Sequence, residues 1–259
     1  MPDTGIHLSQ MEGVTQVRLD RPPVNALDLP TINAVRSAFE TADSSAPIIL
    51  TGTGKAFSAG VDTRAFGAYS GPEKVDMIRA ITRMVSAIVS HPAPVIAAVN
   101  GHALGGGFVL MLCADFRVVT DDTDAKFGLT EARAGVPFPA GPLEVIRHEI
   151  SSGLLRRLTL SSEIVRASTL MSEGLADQLA SPDQLQPSAI KAAQDLTSQP
   201  AFAVVKRQIR GDLQKQLKAL AASGKDPLAD QFFHVRLDYS EALAGVSRIR
   251  RPPSLSSRT

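Results

Sequence analysis

The chain has 259 residues, of which 44% are hydrophobic and 20% charged, a balance that fits one sizeable globular core and excludes a disordered chain. Its formal net charge of +1 provides no electrostatic footprint for nucleic acid or an anionic membrane. Cys113 is the only cysteine, which excludes an intrachain disulfide and a multi-cysteine zinc site.

The first ten residues, MPDTGIHLSQ, lack the charged start and apolar run of a secretory signal. No apolar run is long enough to span a bilayer, so the expectation is a cytoplasmic protein without a membrane partner. VTQVRLD (14–20) alternates apolar and polar residues and predicts a half-buried strand. The prolines of RPPVNALD (21–28) predict a loop, and Pro30 at a first helical position predicts a helix carrying Ile32, Val35, Ala38 and Phe39. PIILT (47–51), a continuous apolar run before Gly52, predicts a buried parallel strand. Over 73–90, Val75, Ile78, Ile81, Val85 and Ile88 form one helical stripe. HPAP (91–94) ends that helix, and His91 there suits an imidazolium at a helix C-terminus. VIAAVN (95–100) predicts a second buried strand; the triplet Gly105, Gly106, Gly107 leads into an apolar helix; DFRVVT (115–120) predicts a third strand. Strands alternating with helices predict an α/β fold of parallel units. Beyond about residue 151 the pattern turns helical. Leu154, Leu155, Leu158 and Leu160 mark one helix, 201–220 a long one, and Phe232, Phe233 and Leu243 the last ones, before a frayed RPPSLSSRT (251–259). The shift near Pro200 divides the chain into a core, 1–199, and a helical region, 200–259.

GTGKAFSAG (52–60) invites a phosphate-loop reading, but Ile49 and Ala56 stand where that motif needs glycine and Ser or Thr. The dinucleotide pattern fails at Phe57 and again at Leu110, and no nucleophile elbow surrounds Ser58. The five histidines show no metal spacing, so no metal is expected; His102, beside the glycines, is the one open case. Two segments of one kind remain: FSAGVD (57–62) and GHALGGG (101–107). Each follows a predicted parallel strand and precedes helix-compatible sequence, where main-chain N–H groups are unpaired. Two such segments converging on one point would form an oxyanion hole. Tight packing of helix on strand is the alternative use of the same glycines.

LTGTGKAFSAGVD followed by PVIAAVNGHALGGG resembles the crotonase family, also called the enoyl-CoA hydratase/isomerase family. FGLTEARAGVPF (127–138) agrees with it, and RPPVNAL and AFAVVKRQIR match more loosely. The resemblance implies a crotonase-like β/α spiral core with a C-terminal helical region used in trimer packing, giving a homotrimer or a hexamer of two trimers. It implies acyl-CoA as substrate, with coenzyme A entering as part of the thioester and no permanently bound cofactor. The N–H groups of Val61 and Gly106 match the family's oxyanion donors. Ala59, Val61, Asp62, Thr63 and Arg64 match the segment along the coenzyme. Val24, Ala26, Gly105, Val109 and Phe138 complete the expected substrate contacts. Asp62 reads also as a helix cap.

Family hydratases carry two glutamates. The first position holds Val109 here; the second holds Glu131. Hydration must activate a water and deliver a proton, and losing one group should leave a poor hydratase. Moving a double bond needs one base that shuttles a proton, as in family isomerases of the mitochondrial type, while an apolar Val109 keeps water away. The expectation is a Δ3–Δ2 enoyl-CoA isomerase with Glu131 as base. The alternatives are a hydratase with Glu144, His102 or Asp115 as stand-in, another thioester reaction such as hydrolysis or decarboxylation, and a non-enzymatic acyl-CoA binder. A Glu144–His148 pair one helical turn apart, and basic Lys55, Arg64, Arg79 and Arg83, are further candidates for the pocket and its mouth. Phe138 and Pro139 are expected to narrow the region beside Glu131.

Overall fold

VIAAV at 95–99 is apolar at every position, and its two faces feed different layers of core: Val95, Ala97 and Val99 join one cluster, Ile96 and Ala98 another. In a computed structural model, residues 4–234 are described. The chain opens with a hairpin, β1 (Ile6–Met11) and β2 (Val14–Leu19), then α1 (Leu29–Thr41), β3 (Ile48–Gly52), β4 (Ala56–Ser58), α2 (Thr63–Ala68) and α3 (Gly71–Ser90). There follow β5 (Val95–Val99), β6 (His102–Leu104), α4 (Gly106–Cys113), β7 (Phe116–Thr120), β8 (Phe127–Gly128), α5 (Glu131–Ala134), α6 (Ala140–Glu149), α7 (Ser152–Leu160) and α8 (Ala167–Ser172). The last elements are β9 (Gln178–Ala180), α9 (Pro182–Thr197), α10 (Phe202–Ser223) and α11 (Pro227–His234). Phe232 and Phe233 fall within α11; Leu243 and 251–259 lie outside the described residues.

One sheet runs β1-β2-β3-β5-β7-β9, antiparallel only at β1/β2; a smaller parallel sheet runs β4-β6-β8. Three successive turns of chain thus place one strand in each sheet, which is the β/α spiral. The helix predicted from Pro30 starts at Leu29 with the Asp28 side chain capping Thr31 N, and α3 carries a capping box of Ser70 and Glu73.

Three expectations change. The strand β2 is buried almost throughout: α9 packs on the face of Val14 and Gln16, and Thr15 lies on the other face with Val17 and Leu19 of the main core. In α7 Leu154 and Leu158 are buried while Leu160 is 76% exposed, so the stripe is narrower than its leucines suggest. His91 is not a cationic cap: burial pushes its imidazole below the usual histidine range, and Nε2 lies 2.9 Å from Ala46 O.

The C-terminus of α4 ends in a buried ion cluster. Lys206 Nζ donates to Asp115 Oδ2 at 2.5 Å, and Arg210 donates to Asp115 Oδ1 at 2.9 Å and to Glu149 Oε1 at 2.7 Å. Arg117 pairs with the other oxygen of Glu149. The same guanidiniums take up carbonyls at the end of α4: Arg210 donates to Leu112 O and Cys113 O, and Arg117 to Met111 O and Leu112 O. Lys206 and Arg210 come from α10, which also puts Leu213 and Leu217 into the main core. Removing one partner from such a cluster strands a buried charge. Arg210→Met, which takes one of two cationic partners from Asp115 and from Glu149, is expected to lower unfolding free energy by about 3–5 kcal/mol, measured by urea unfolding; unchanged stability would contradict the cluster's role.

Candidate active site

The loop after β2 is anchored by Asn25, whose Nδ2 donates to Ala56 O at 2.7 Å and Thr53 O at 3.0 Å, while Ser58 Oγ donates to Asn25 O at 2.7 Å. Leu27 forms a parallel bridge with Val61: Leu27 N–H donates to Gly60 O and Asp62 N–H to Leu27 O. That pattern turns the Val61 N–H away from the bridge, and it has no acceptor among the described residues. The Gly106 N–H opens α4 and likewise has none.

The two N–H groups meet because the backbones touch. A Cβ on Gly60, which sits at φ +83°, would lie 2.7 Å from Gly106 N; one on Gly106 would lie 3.6 Å from Val61 N. Gly107 serves packing instead. A Cβ there would come within 2.1 Å of Ser58 O, so its hydrogen lets α4 rest on β4. The packing use of glycine and the ligand-facing use therefore occupy adjacent positions of one triplet.

Val61 and Gly106 border a cavity of about 440 Å³. Of the expected site residues, Ala59, Val61, Thr63, Gly105, Gly106, Val109, Glu131 and Phe138 line it. Val24, Ala26, Asp62 and Arg64 do not. Val24 instead accepts from Ala59 N–H through its carbonyl, and Ala26 O accepts from Arg21. Asp62 caps α2 by accepting from Arg64 N and Ala65 N, and pairs with Arg21 at 2.8 Å. Arg64 projects into solvent because it lies off the face of α2 that carries Thr63, Phe66 and Gly67 to the cavity.

The candidate stand-ins for a second acid all lie elsewhere. Asp115 is held in the ion cluster, Glu144 pairs with Arg147, and His102 Nδ1 accepts from Lys126 N. His148 faces Glu149, not the cavity. Lys55 and Arg83 are exposed, and Arg79 donates to Gly224 O. Among the described residues, Glu131 is the one carboxylate lining the cavity. Phe138 and Pro139 do line it, with Val136, Pro137 and Pro142. Sequence reasoning missed Lys74, Thr130 and Leu228; Lys74 shares a helical stripe with Ile78 and Ile81, a signal that was readable. No group of three or more His, Cys, Asp or Glu among the described residues gathers as metal ligands would.

Glu131 opens α5. Its Oε2 is buried without a hydrogen-bond partner among the described residues, and its Oε1 lies 3.3 Å from where a Cβ on Gly105 would stand. Burial pushes its carboxyl up to about 7, with the main-chain N–H groups of Glu131 and Thr130 opposing only in part. An acid whose proton affinity sits near neutrality, beside two free N–H donors, is suited to move protons at a carbonyl compound.

The sequence profile of enoyl-CoA hydratase/isomerase matches residues 9–239. The chain belongs to the enoyl-CoA hydratase/isomerase family. It is an enzyme of that family, with the crotonase fold. Carnitinyl-CoA dehydratase of Salmonella paratyphi A is 30% identical over 203 residues, 77% of either chain. Human mitochondrial Δ3-Δ2-enoyl-CoA isomerase superposes with a TM-score of 0.84 at 20% identity, covering 94% of this chain and 96% of that one. A probable enoyl-CoA hydratase of Mycobacterium tuberculosis gives 0.79 at 23% identity, covering 93% and 99%. No helix among the described residues is long and apolar enough to cross a membrane.

The raised proton affinity of Glu131 couples to stability. The folded state holds this proton more tightly than the unfolded chain, whose glutamate titrates near 4.5. The contribution is complete below that value and is lost as pH rises through about 7. Glu131→Gln, which cannot ionise, should match the parent near pH 4 and exceed its unfolding free energy by roughly 3 kcal/mol near pH 8. Urea unfolding of both proteins across this range is the measurement; a constant difference would refute the burial argument.

Proposed function

We propose that this enzyme moves the double bond of a 3-enoyl-CoA to the 2 position, with Glu131 as the single shuttling base. The observation that carries the reading is the pairing of one carboxylate, Glu131, with an apolar Val109 in the same cavity. Glu131 takes a proton from C2 of the thioester and returns it at C4. The intermediate dienolate places its negative charge on the thioester oxygen. The N–H groups of Val61 and Gly106 donate hydrogen bonds to that oxygen, each worth about 3–4 kcal/mol at the transition state. Val109, 2% exposed, leaves no second acid to hold a water over the double bond.

A second reading is supported by the dehydratase relative: reversible addition of water across a 2-enoyl-CoA. The two readings separate by substrate. With 3-enoyl-CoA and 2-enoyl-CoA offered to the purified protein, isomerisation should exceed hydration. Dominant hydration would reverse the assignment, and hydrolysis of a saturated acyl-CoA would replace both. The assembly that the family resemblance implies is a homotrimer or a hexamer, and the proposal takes exposed Val204, Val205 and Ile209 on α10 as a packing face.

Glu131→Gln should lower isomerase kcat by about 10²–10⁴-fold. In the parent, kcat/KM should rise with pH through about 7 as the carboxyl ionises, and level off above. A flat profile over that range, or intact turnover in the variant, would remove Glu131 from the mechanism. Val109→Glu, restoring the second acid, should raise hydration of 2-enoyl-CoA at least about tenfold over the parent.

A further inference from the structure

Three residues of α3 line the cavity: Lys74, Ile78 and Ile81. Their i, i+4, i+7 spacing makes one helical stripe about 10 Å long. Two of its positions are apolar and the end one is a cation. Lys74 Nζ stands 5.7 Å from the centroid of the Phe66 ring, itself part of the cavity wall. Among the described residues no carboxylate or carbonyl takes up its ammonium.

Lys74 has two other possible duties, and the geometry assigns it neither. It is not the counter-charge of Glu131: burial pushes that carboxyl up, and no cation is among the groups that oppose the shift. It also does not sit with Arg64. The short helix α2 presents Thr63, Phe66 and Gly67 to the cavity and leaves Arg64 off it, so Lys74 lines the cavity and Arg64 does not. An ammonium on a wall that α3 otherwise lines with Ile78 and Ile81 is placed to meet a charged group on whatever fills the cavity. A ligand anion there would supply the charge partner that the described residues do not.

We propose that Lys74 selects thioesters whose acyl chain ends in a carboxylate. This rests on the acyl-CoA reading of the site. Ile78 and Ile81 line the methylene stretch, and the Lys74 ammonium pairs with the terminal carboxylate while lying over Phe66.

The test is equilibrium binding, so that it does not depend on turnover. Dissociation constants are measured by calorimetry for hexanoyl-CoA, adipoyl-CoA and free coenzyme A against the parent, Lys74→Met and Lys74→Arg. Adipoyl-CoA should bind the parent at least about tenfold more tightly than hexanoyl-CoA, Lys74→Met should erase that preference, and Lys74→Arg should retain it. Binding of hexanoyl-CoA by Lys74→Met serves as the control for folding. No preference in the parent, or one that survives Lys74→Met, overturns the proposal. An equal loss for free coenzyme A and adipoyl-CoA places the recognised charge on the coenzyme phosphates and overturns it too. If neither 3-hexenoyl-CoA nor 3-hexenedioyl-CoA is turned over while the carboxylate preference stands, the isomerase reading fails and the role of Lys74 does not.

Discussion

Helix α4 is the constraint on which the rest of the molecule depends. It is eight residues long, buried from Gly107 onward, and has different requirements at its two ends. At the N-terminus Gly106 leaves an N–H free at the cavity, with the partial positive charge of the helix dipole behind it. At the C-terminus the carbonyls of Met111, Leu112 and Cys113 have no next turn, and Arg117 and Arg210 satisfy them. Asp115 and Glu149 then balance those guanidiniums. One short helix therefore couples the candidate site to a charge cluster assembled from β7, α6 and α10.

That coupling explains why so many polar groups are buried away from the chemistry. Lys206, Arg210 and Arg117 are each almost wholly enclosed, and each meets both a carboxylate and at least one carbonyl. A cluster with its hydrogen bonds made holds a fixed geometry; a partly satisfied one would be costly. Because Lys206 and Arg210 belong to α10, the position of α4 depends on the helical region as well as on the sheets.

The cavity side follows the opposite rule. Among the described residues, Glu131 has a buried oxygen without a hydrogen-bond partner and no cation that lowers its proton affinity, so its ionised form is disfavoured. The protein tolerates there what it avoids at the other end of α4. An unsatisfied acid is a stability cost and a chemical asset, since a base that binds its proton near neutrality can both take and return it. Among the described residues, the Val61 and Gly106 N–H groups and the Lys74 ammonium share this character: polar groups with no hydrogen-bond or ion-pair partner, at the border of one cavity.

Much of this was legible in the sequence, for a physical reason. Buried strands, amphipathic helices and glycine-bearing strand-to-helix junctions are written in local periodicity, so the parallel β/α order and the two glycine-bearing segments could be read residue by residue, while the Val109/Glu131 contrast came from the resemblance to the family. Burial by distant segments could not: α9 covers β2, and burial of His91 between remote segments removes the charge that its helix end would favour. Proton affinity and ligand access are likewise sums over the whole fold. Asp62 became a cap and Arg64 a surface residue through their faces on α2, while Glu131 acquired its affinity from enclosure. The sequence by itself determined which residues could do chemistry; only the tertiary structure decided which were desolvated, which were paired, and which, like Lys74, were left facing the cavity.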